Sequence, residues 1–321
     1  MIVLIFIVLY ICKKNDFVSD QNTSNTVSQQ SQQDNIVIED HIKDDIKLAI
    51  SYVEEKRDNG SSVSYSYDAS NTKYSKLNNT QQELYNEMLP KVQNMIPFEY
   101  TAKEYGYDIL DNVLVATSAL CDDYPLYGIY FDILEVIDGD VTSGLKSSYF
   151  LPSDPESKDL DDTTKIKKEV QTFEAECNYI VSAIPENFST YDKYRFLAAV
   201  ISISTSYDHE FTGGKLTSSG YGAIAGPTSI CSGYSKGFEY LCQKANLWCK
   251  QVSGISHEEA HAWNLVKLES GTYHVDITWA DDDQNITLSD DWQKYFMLTQ
   301  SEILTDHEID DGTVATGTPL K

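Results

Sequence analysis

Between Gly226 and Trp279 the chain changes its period once, and that change limits what it can fold into. Over 232–245 the apolar residues fall at Tyr234, Phe238, Leu241, Cys242 and Ala245, the stripe of a helix with one buried side. Two short runs follow, 260–268 and 272–279, rich in aromatic and β-branched residues and split by Ser270-Gly271, which predicts an antiparallel hairpin. The chain therefore carries a half-buried helix and, directly after it, an antiparallel ribbon.

Chemistry collects on these elements. Cys231 stands where a loop turns into the helix, in Gly226-Pro227-Thr228-Ser229-Ile230-Cys231-Ser232-Gly233-Tyr234. A sulfur there faces unpaired backbone N–H groups and the positive end of the helix dipole, which favour a thiolate. The same donors suit the oxyanion formed when a carbonyl is attacked. Thr228 or Ser229 is placed to cap the first turn, and Asn246 to end the helix in a left-handed conformation. A free cysteine alone usually just packs, so its partners decide the reading. His261 lies on the first ribbon strand and Asp276 on the second, and an even-numbered loop puts both on one face. A two-residue turn at Ser270-Gly271 would pair Asp276 with Leu265, leaving His261 four residues on, about 13 Å away. Direct opposition requires a four-residue loop, Lys267 to Ser270, or a bulge, and one of these is expected. The carboxylate would then hold one ring nitrogen of His261 while the other takes the thiol proton, the logic of a Cys-His-Asp triad. The plainer alternative is a partly buried histidine and a surface aspartate.

Four linked segments carry a family likeness: Tyr221-Gly222-Ala223, then Cys231-Ser232-Gly233-Tyr234-Ser235-Lys236-Gly237-Phe238, then His261-Ala262-Trp263-Asn264, then Tyr273-His274-Val275-Asp276-Ile277-Thr278-Trp279. Together they resemble the transglutaminase-like superfamily, in particular its bacterial surface branch, over about Tyr191 to His307. The resemblance implies a nucleophile at Cys231, a base at His261 and an orienting acid at Asp276. It also implies a papain-like α+β fold, with the cysteine on a central helix packed against an antiparallel sheet. The chain departs from the pattern at Pro227, Thr228 and Ser229, which replace small or basic residues, and at Ala280, which interrupts a Trp-Asp-Asp run. These departures bear on substrate preference more than on the triad. Trp263, Asn264, Tyr234 and Trp279 are candidates for substrate binding or support, although aromatics on a sheet are more often core. His274 shares the parity of Asp276, and His257 and Glu258 precede the strand.

With 321 residues the chain buries a full core in one or two domains, and a net charge of −26 excludes binding to a nucleic-acid backbone. The six cysteines show no C-x-x-C spacing, and no calcium loop or phosphate-cradling glycine loop occurs, so neither a metal nor a cofactor is expected. Cys242 and Cys249 are placed to meet, more simply as buried thiols than as a disulfide.

Residues 1–12 are apolar and followed by Lys13-Lys14; too short to span a bilayer, they read as an anchor or a signal whose start is cut short. Residues 13–37 form a polar tether. Residues 38–155 make a mainly helical N-terminal module. Within it 40–56 is helical and 60–74 loop-like. Thr80-Gln81-Gln82-Glu83 is a capping box before a helix that Pro90 kinks or shortens, 113–121 is a further helix, and 127–136 alternates as a strand. Pro152 and Pro155 mark the boundary to a catalytic domain, 156–321. There Ile166 to Ile184 trace a helix stopped by Pro185, and Tyr194 to Ile201 trace another.

The expected function is cysteine-dependent acyl transfer on amide bonds through a thioester. Hydrolysis as a peptidase or amidase leads, and protein cross-linking follows. The partner is a protein or peptide, cell-wall peptide included, met outside the cell by a secreted or surface-tethered, membrane-associated protein. The rival is a binding or structural module that keeps the fold without turnover.

Overall fold

The first helix, α1 (Asp40–Lys56), buries Ile42, Ile46, Ala49 and Val53 at the spacing its sequence dictates. The structure, a computed structural model, describes residues 38–56, 73–157, 163–281 and 294–320. The expectations for 1–12 and 13–37, and for nearly all of 60–74, lie outside the described residues. Among the described residues no helix is long and apolar enough to cross a membrane.

α2 (Asn79–Gln93) starts before the expected capping box. Asn78 is the cap, its side chain accepting from the Gln81 N–H while the Gln81 side chain accepts from the Asn78 N–H. Asparagine caps at least as well as threonine, so Thr80 falls into the first turn. Pro90 does not end α2, which runs on to Gln93. Next come β1 (Glu99–Thr101), α3 (Ala102–Tyr105) and α4 (Asp108–Asp123). The alternation expected from Tyr127 begins later: Tyr127–Ile129 is a 3-10 turn, and β2 (Phe131–Asp138) pairs with β3 (Val141–Tyr149). The order β1-β3-β2, all antiparallel, gives this part a three-stranded sheet beside its helices.

α5 (Thr163–Ser182) and α6 (Thr190–Ser204) follow the predicted periodicity. β4 (Ser206–Tyr207), α7 (Gly214–Thr217), α8 (Gly220–Ile224) and β5 (Thr228–Ser229) then lead into α9 (Cys231–Lys244). Beyond it lie β6 (Cys249–Ser256), β7 (Glu259–Leu268), β8 (Gly271–Val275), α10 (Ile277–Ala280), β9 (Phe296–Leu298), α11 (Gln300–Ile303) and β10 (His307–Ile309). Five strands form one antiparallel sheet, β10-β6-β7-β8-β9. The architecture is α+β, with helix and sheet both well represented.

α9 lies on this sheet through Ser235, whose hydroxyl accepts from Gln251 Nε2 and whose carbonyl accepts from Asn264 Nδ2 at 2.9 Å. From that contact β7 runs back toward His261 as α9 runs back toward Cys231, so the two strand and helix starts come together. One apolar cluster extends from Ile42 to Met297, across Pro152 and Pro155. α1 joins it against α6, where Ser204 Oγ donates to Asp45 Oδ2 at 3.0 Å. A smaller cluster, with Trp248, Val252, Trp263 and Leu265, sits beside it.

Close backbone approach fixes where α9 begins. A Cβ at Gly233 would lie 2.3 Å from the Thr217 carbonyl oxygen and 2.2 Å from Ser229 Oγ. Gly233→Ala is therefore expected to destabilise the protein by about 1–3 kcal/mol, the usual cost of overpacking, measured by urea unfolding. Wild-type stability in that variant would mean that α9 is not held against Thr217.

Candidate active site

Cys231, partly exposed, is the first residue of α9. The expected caps do not cap. Thr228 and Ser229 are held extended as β5, parallel to β4, and Ser229 Oγ donates to the Thr217 carbonyl at 2.9 Å. Ile230 takes the cap position and brings no side-chain hydrogen bond. The first N–H groups of the helix are thus left without a side-chain acceptor at the residue that carries the sulfur. At the other end Asn246, with φ 56°, is the left-handed stop.

The ribbon closes differently from expectation. Leu268 pairs with Gly271, so the turn is two residues, Glu269-Ser270, with no wider loop and no bulge between β7 and β8. This register sets Asp276 level with Trp263, two residues from His261, or about 7 Å of strand. The remainder is closed by Asp276 leaving the strand. It is the N-cap of α10, its N–H donating to the Tyr295 carbonyl at 2.8 Å.

His261 Nε2 then lies 2.8 Å from Asp276 Oδ2. The Cys231 sulfur lies near the same ring and helps to hold its proton, and with Nε2 committed to the acid, Nδ1 is the nitrogen left for sulfur. Burial pulls His261 down, but the Asp276 carboxylate and the Cys231 sulfur outweigh it and hold the ring up at about 10. Burial pushes Asp276 up, and His261 and His307 outweigh that in turn, holding it down at about 2.

His307 is the participant that sequence reasoning missed. Its Nε2 lies 3.0 Å from Asp276 Oδ2 and its Nδ1 lies 2.6 Å from Asp306 Oδ1. The ring thus bridges two carboxylates, one at each nitrogen. Tyr295 O–H donates to the other oxygen of Asp306 at 2.9 Å. No motif marks Asp306-His307; the pair reaches the site because β10 lays His307 opposite Ser256, far back in the chain. Tyr207, at the end of β4, was also missed. Burial, and then the nearby Cys231, push its phenol to about 12.

The other expected residues are placed as follows. Trp263 is buried, its ring stacked on His261 at 5.8 Å and its Nε1 donating to His274 Nδ1 at 2.9 Å. Asn264 is buried and ties β7 to α9 through Ser235, and Tyr234 is buried and donates to Asp281. Trp279 is 40% exposed, its ring 6.0 Å from His261 and its N–H donating to Asp276 Oδ1 at 3.3 Å. Thus Trp279 lines the site, while Trp263, Asn264 and Tyr234 support it from the core. His257 and Glu258 form the exposed β6–β7 turn, both with positive φ. Cys242 and Cys249 are buried neighbours as free thiols. His261, Asp276 and His307 offer ligand atoms within 4.8 Å of one another and form a set that could hold a metal ion. Their separations of 2.8 and 3.0 Å are those of direct N–H···O bonds.

No protein-family model matches the chain, and no curated protein matches it.

Asp276→Asn is expected to cost about 3–5 kcal/mol near pH 6, because it breaks a buried ion pair and leaves two imidazoles facing an amide. The folded-state value of Asp276, about 2, lies below its ordinary 3.8, so its contribution is present above 3.8 and lost as pH falls toward 2. The stability gap between wild type and variant, from urea midpoints, should narrow over that interval. A gap that stays constant would remove the charged carboxylate from the account.

Proposed function

We propose that the chain is a cysteine-dependent acyl-transfer enzyme of the transglutaminase-like kind, with a papain-like core, acting on amide bonds of a protein or peptide. The observation that carries this reading is the Cys231–His261–Asp276 line, with the sulfur at a helix start that no side chain caps. Sulfur attacks the amide carbonyl carbon, and the oxyanion meets the N–H groups that open α9. The C–N bond then breaks, His261 gives its proton to the leaving amine, and a thioester remains on Cys231. Water, or a second amine, attacks the thioester carbon while His261 takes the incoming proton; the C–S bond breaks, Cys231 leaves as thiolate, and the acid or new amide is released. Hydrolysis is the leading outcome and amine transfer the alternative. The Trp279 ring lies 6.0 Å from the imidazole, and Tyr207 is near enough to Cys231 to feel its charge, so both are placed to border an extended acyl donor. Work at the cell surface fits the apolar and polar character of 1–37 and the strongly acidic chain.

Thiol chemistry tests the reading directly. At pH 6 iodoacetamide should label Cys231 and spare Cys121, which burial pushes up to about 12. His261→Ala should slow Cys231 labelling at least about 100-fold, while His41→Ala, on the exposed side of α1, should not. Equal labelling of Cys231 in wild type and His261→Ala would sink the proposal. Labelled peptides offered with and without a fluorescent amine then separate hydrolysis from transfer, and Cys231→Ser should abolish both.

His307 touches Asp276 and Asp306, not the sulfur, so it is a positioning residue. His307→Gln should lower kcat by up to about 100-fold, the cost of a misplaced catalytic group, with KM little changed. A change in KM alone would assign it to substrate binding instead.

A further inference from the structure

About two turns along α9 from Cys231, roughly 12 Å at the helical rise, the chain builds a half-open pocket. A cavity of about 490 Å³ opens between the 3-10 turn Lys73–Lys76, the end of α4, the middle of α9, the start of β6 and residues 312–316. That size is typical of small-molecule sites. Two features of its lining are costly unless something fills it.

The first is a convergence of like charge. Lys73, Lys76, Lys250 and Lys267 line the cavity, beside Asp122, Asp123 and Glu239, in a chain of net charge −26. Burial, and behind it the neighbouring Lys76 and Lys73 ammonium groups, pull Lys250 below the usual lysine range against the attraction of Asp311. The available counter-charge is thin. Lys250 lies 4.0 Å from Asp311 and donates to Thr313 Oγ1 at 2.7 Å, and Lys73 lies 3.8 Å from Asp122. Asp123 is already occupied by the N–H groups of Lys73 and Tyr74 and the hydroxyl of Tyr85. Among the described residues Lys76 has no hydrogen-bonded or ion-pair partner.

The second is Glu239, on the middle of α9 at the cavity wall. It is 7% exposed and meets no lysine at ion-pair distance among the described residues. Burial, and then Asp122, push it to about 8, so near neutrality it presents a donor hydroxyl rather than a charge. Neither the convergent ammonium groups nor this buried acid is used by the candidate active site, and both suit a ligand with several anionic oxygens.

We propose that this cavity is a second ligand site, taking a small anion with two or more negative groups, carboxylate or phosphate. Lys73, Lys76 and Lys250 pair with its charges, and Glu239 and Thr313 supply hydrogen bonds to the oxygens that remain. Isothermal titration calorimetry of the full chain with citrate and with pyrophosphate, in separate arms at one ionic strength set by sodium chloride, tests this. Saturable binding with one ligand per chain is expected in one arm or both, and the arms separate a carboxylate source from a phosphate source. Lys76→Met and Lys250→Met should each weaken it at least tenfold, whereas Lys103→Met, on exposed α3, should leave it within twofold. Lys76 lies on the surface, so its variant keeps the test intact if Lys250→Met fails to fold. Absence of saturable heat in both arms, or affinities that Lys76→Met leaves unchanged, overturns the proposal.

Discussion

The Asp276 carboxylate is fully buried and charged, and the geometry around it follows from keeping it so. An isolated buried carboxylate costs several kcal/mol, and it stays ionised only where donors replace the water it has lost. Here the donors come from three elements: His261 on β7, His307 on β10 and the Trp279 N–H on α10. β6 lies between β10 and β7, so their histidines meet only if β6 is thin where they cross. Gly254 supplies that, pairing with His261 on one side and Ile309 on the other. A Cβ there would fall 1.9 Å from the Glu308 carbonyl oxygen and 2.8 Å from the Trp263 ring. A glycine with no motif around it thus permits two imidazoles to share one acid.

Much of this was legible in the sequence wherever a local period decides structure. The apolar spacing of α1, α5, α6 and α9 marked those helices, Asn246 marked the end of α9, and even parity put His261 and Asp276 on one face of the ribbon. The turn was misread for a physical reason. Gly271 looks like a turn residue but is the first residue of β8, with φ 132°, and a Cβ on it would lie 2.7 Å from Gly317. Its smallness serves the passage of the C-terminal segment, and the turn falls one residue earlier. His307 was invisible because its place depends on β10 pairing with a strand some 50 residues back, which no local pattern encodes.

The start of α9 shows a similar conflict between local preference and site. Thr228 and Ser229 are good capping residues, and a cap is worth about 0.5–2 kcal/mol. The chain instead uses them in a two-residue parallel pairing with β4 and turns Ser229 Oγ toward Thr217. A cap would have filled the N–H groups beside Cys231 with a side-chain oxygen. With no side-chain cap that stabilisation is forgone; the Gly233 N–H turns to the Ile230 carbonyl, and the N–H groups of Cys231 and Ser232 are the donors the proposed oxyanion would meet. The same pairing sets Tyr207 beside Ser229, two residues before the sulfur.

The second histidine alters the electrostatics of the proposed triad. A lone aspartate would hold His261 as imidazolium but would also repel a thiolate a few ångströms farther on. With His307 bridging Asp276 and Asp306, carboxyl groups and imidazoles alternate along the line: Asp306, His307, Asp276, His261, and then the Cys231 sulfur. Each carboxyl group has an imidazole at hydrogen-bond distance, so the buried polar groups are paired where water is excluded. Its inner members are buried and its sulfur end is partly open, which leaves Cys231 as the member a substrate reaches. Removing any inner member strands its neighbours as unpaired buried charges. The loss measured for one residue therefore belongs to the whole line, and losses from separate deletions should not add.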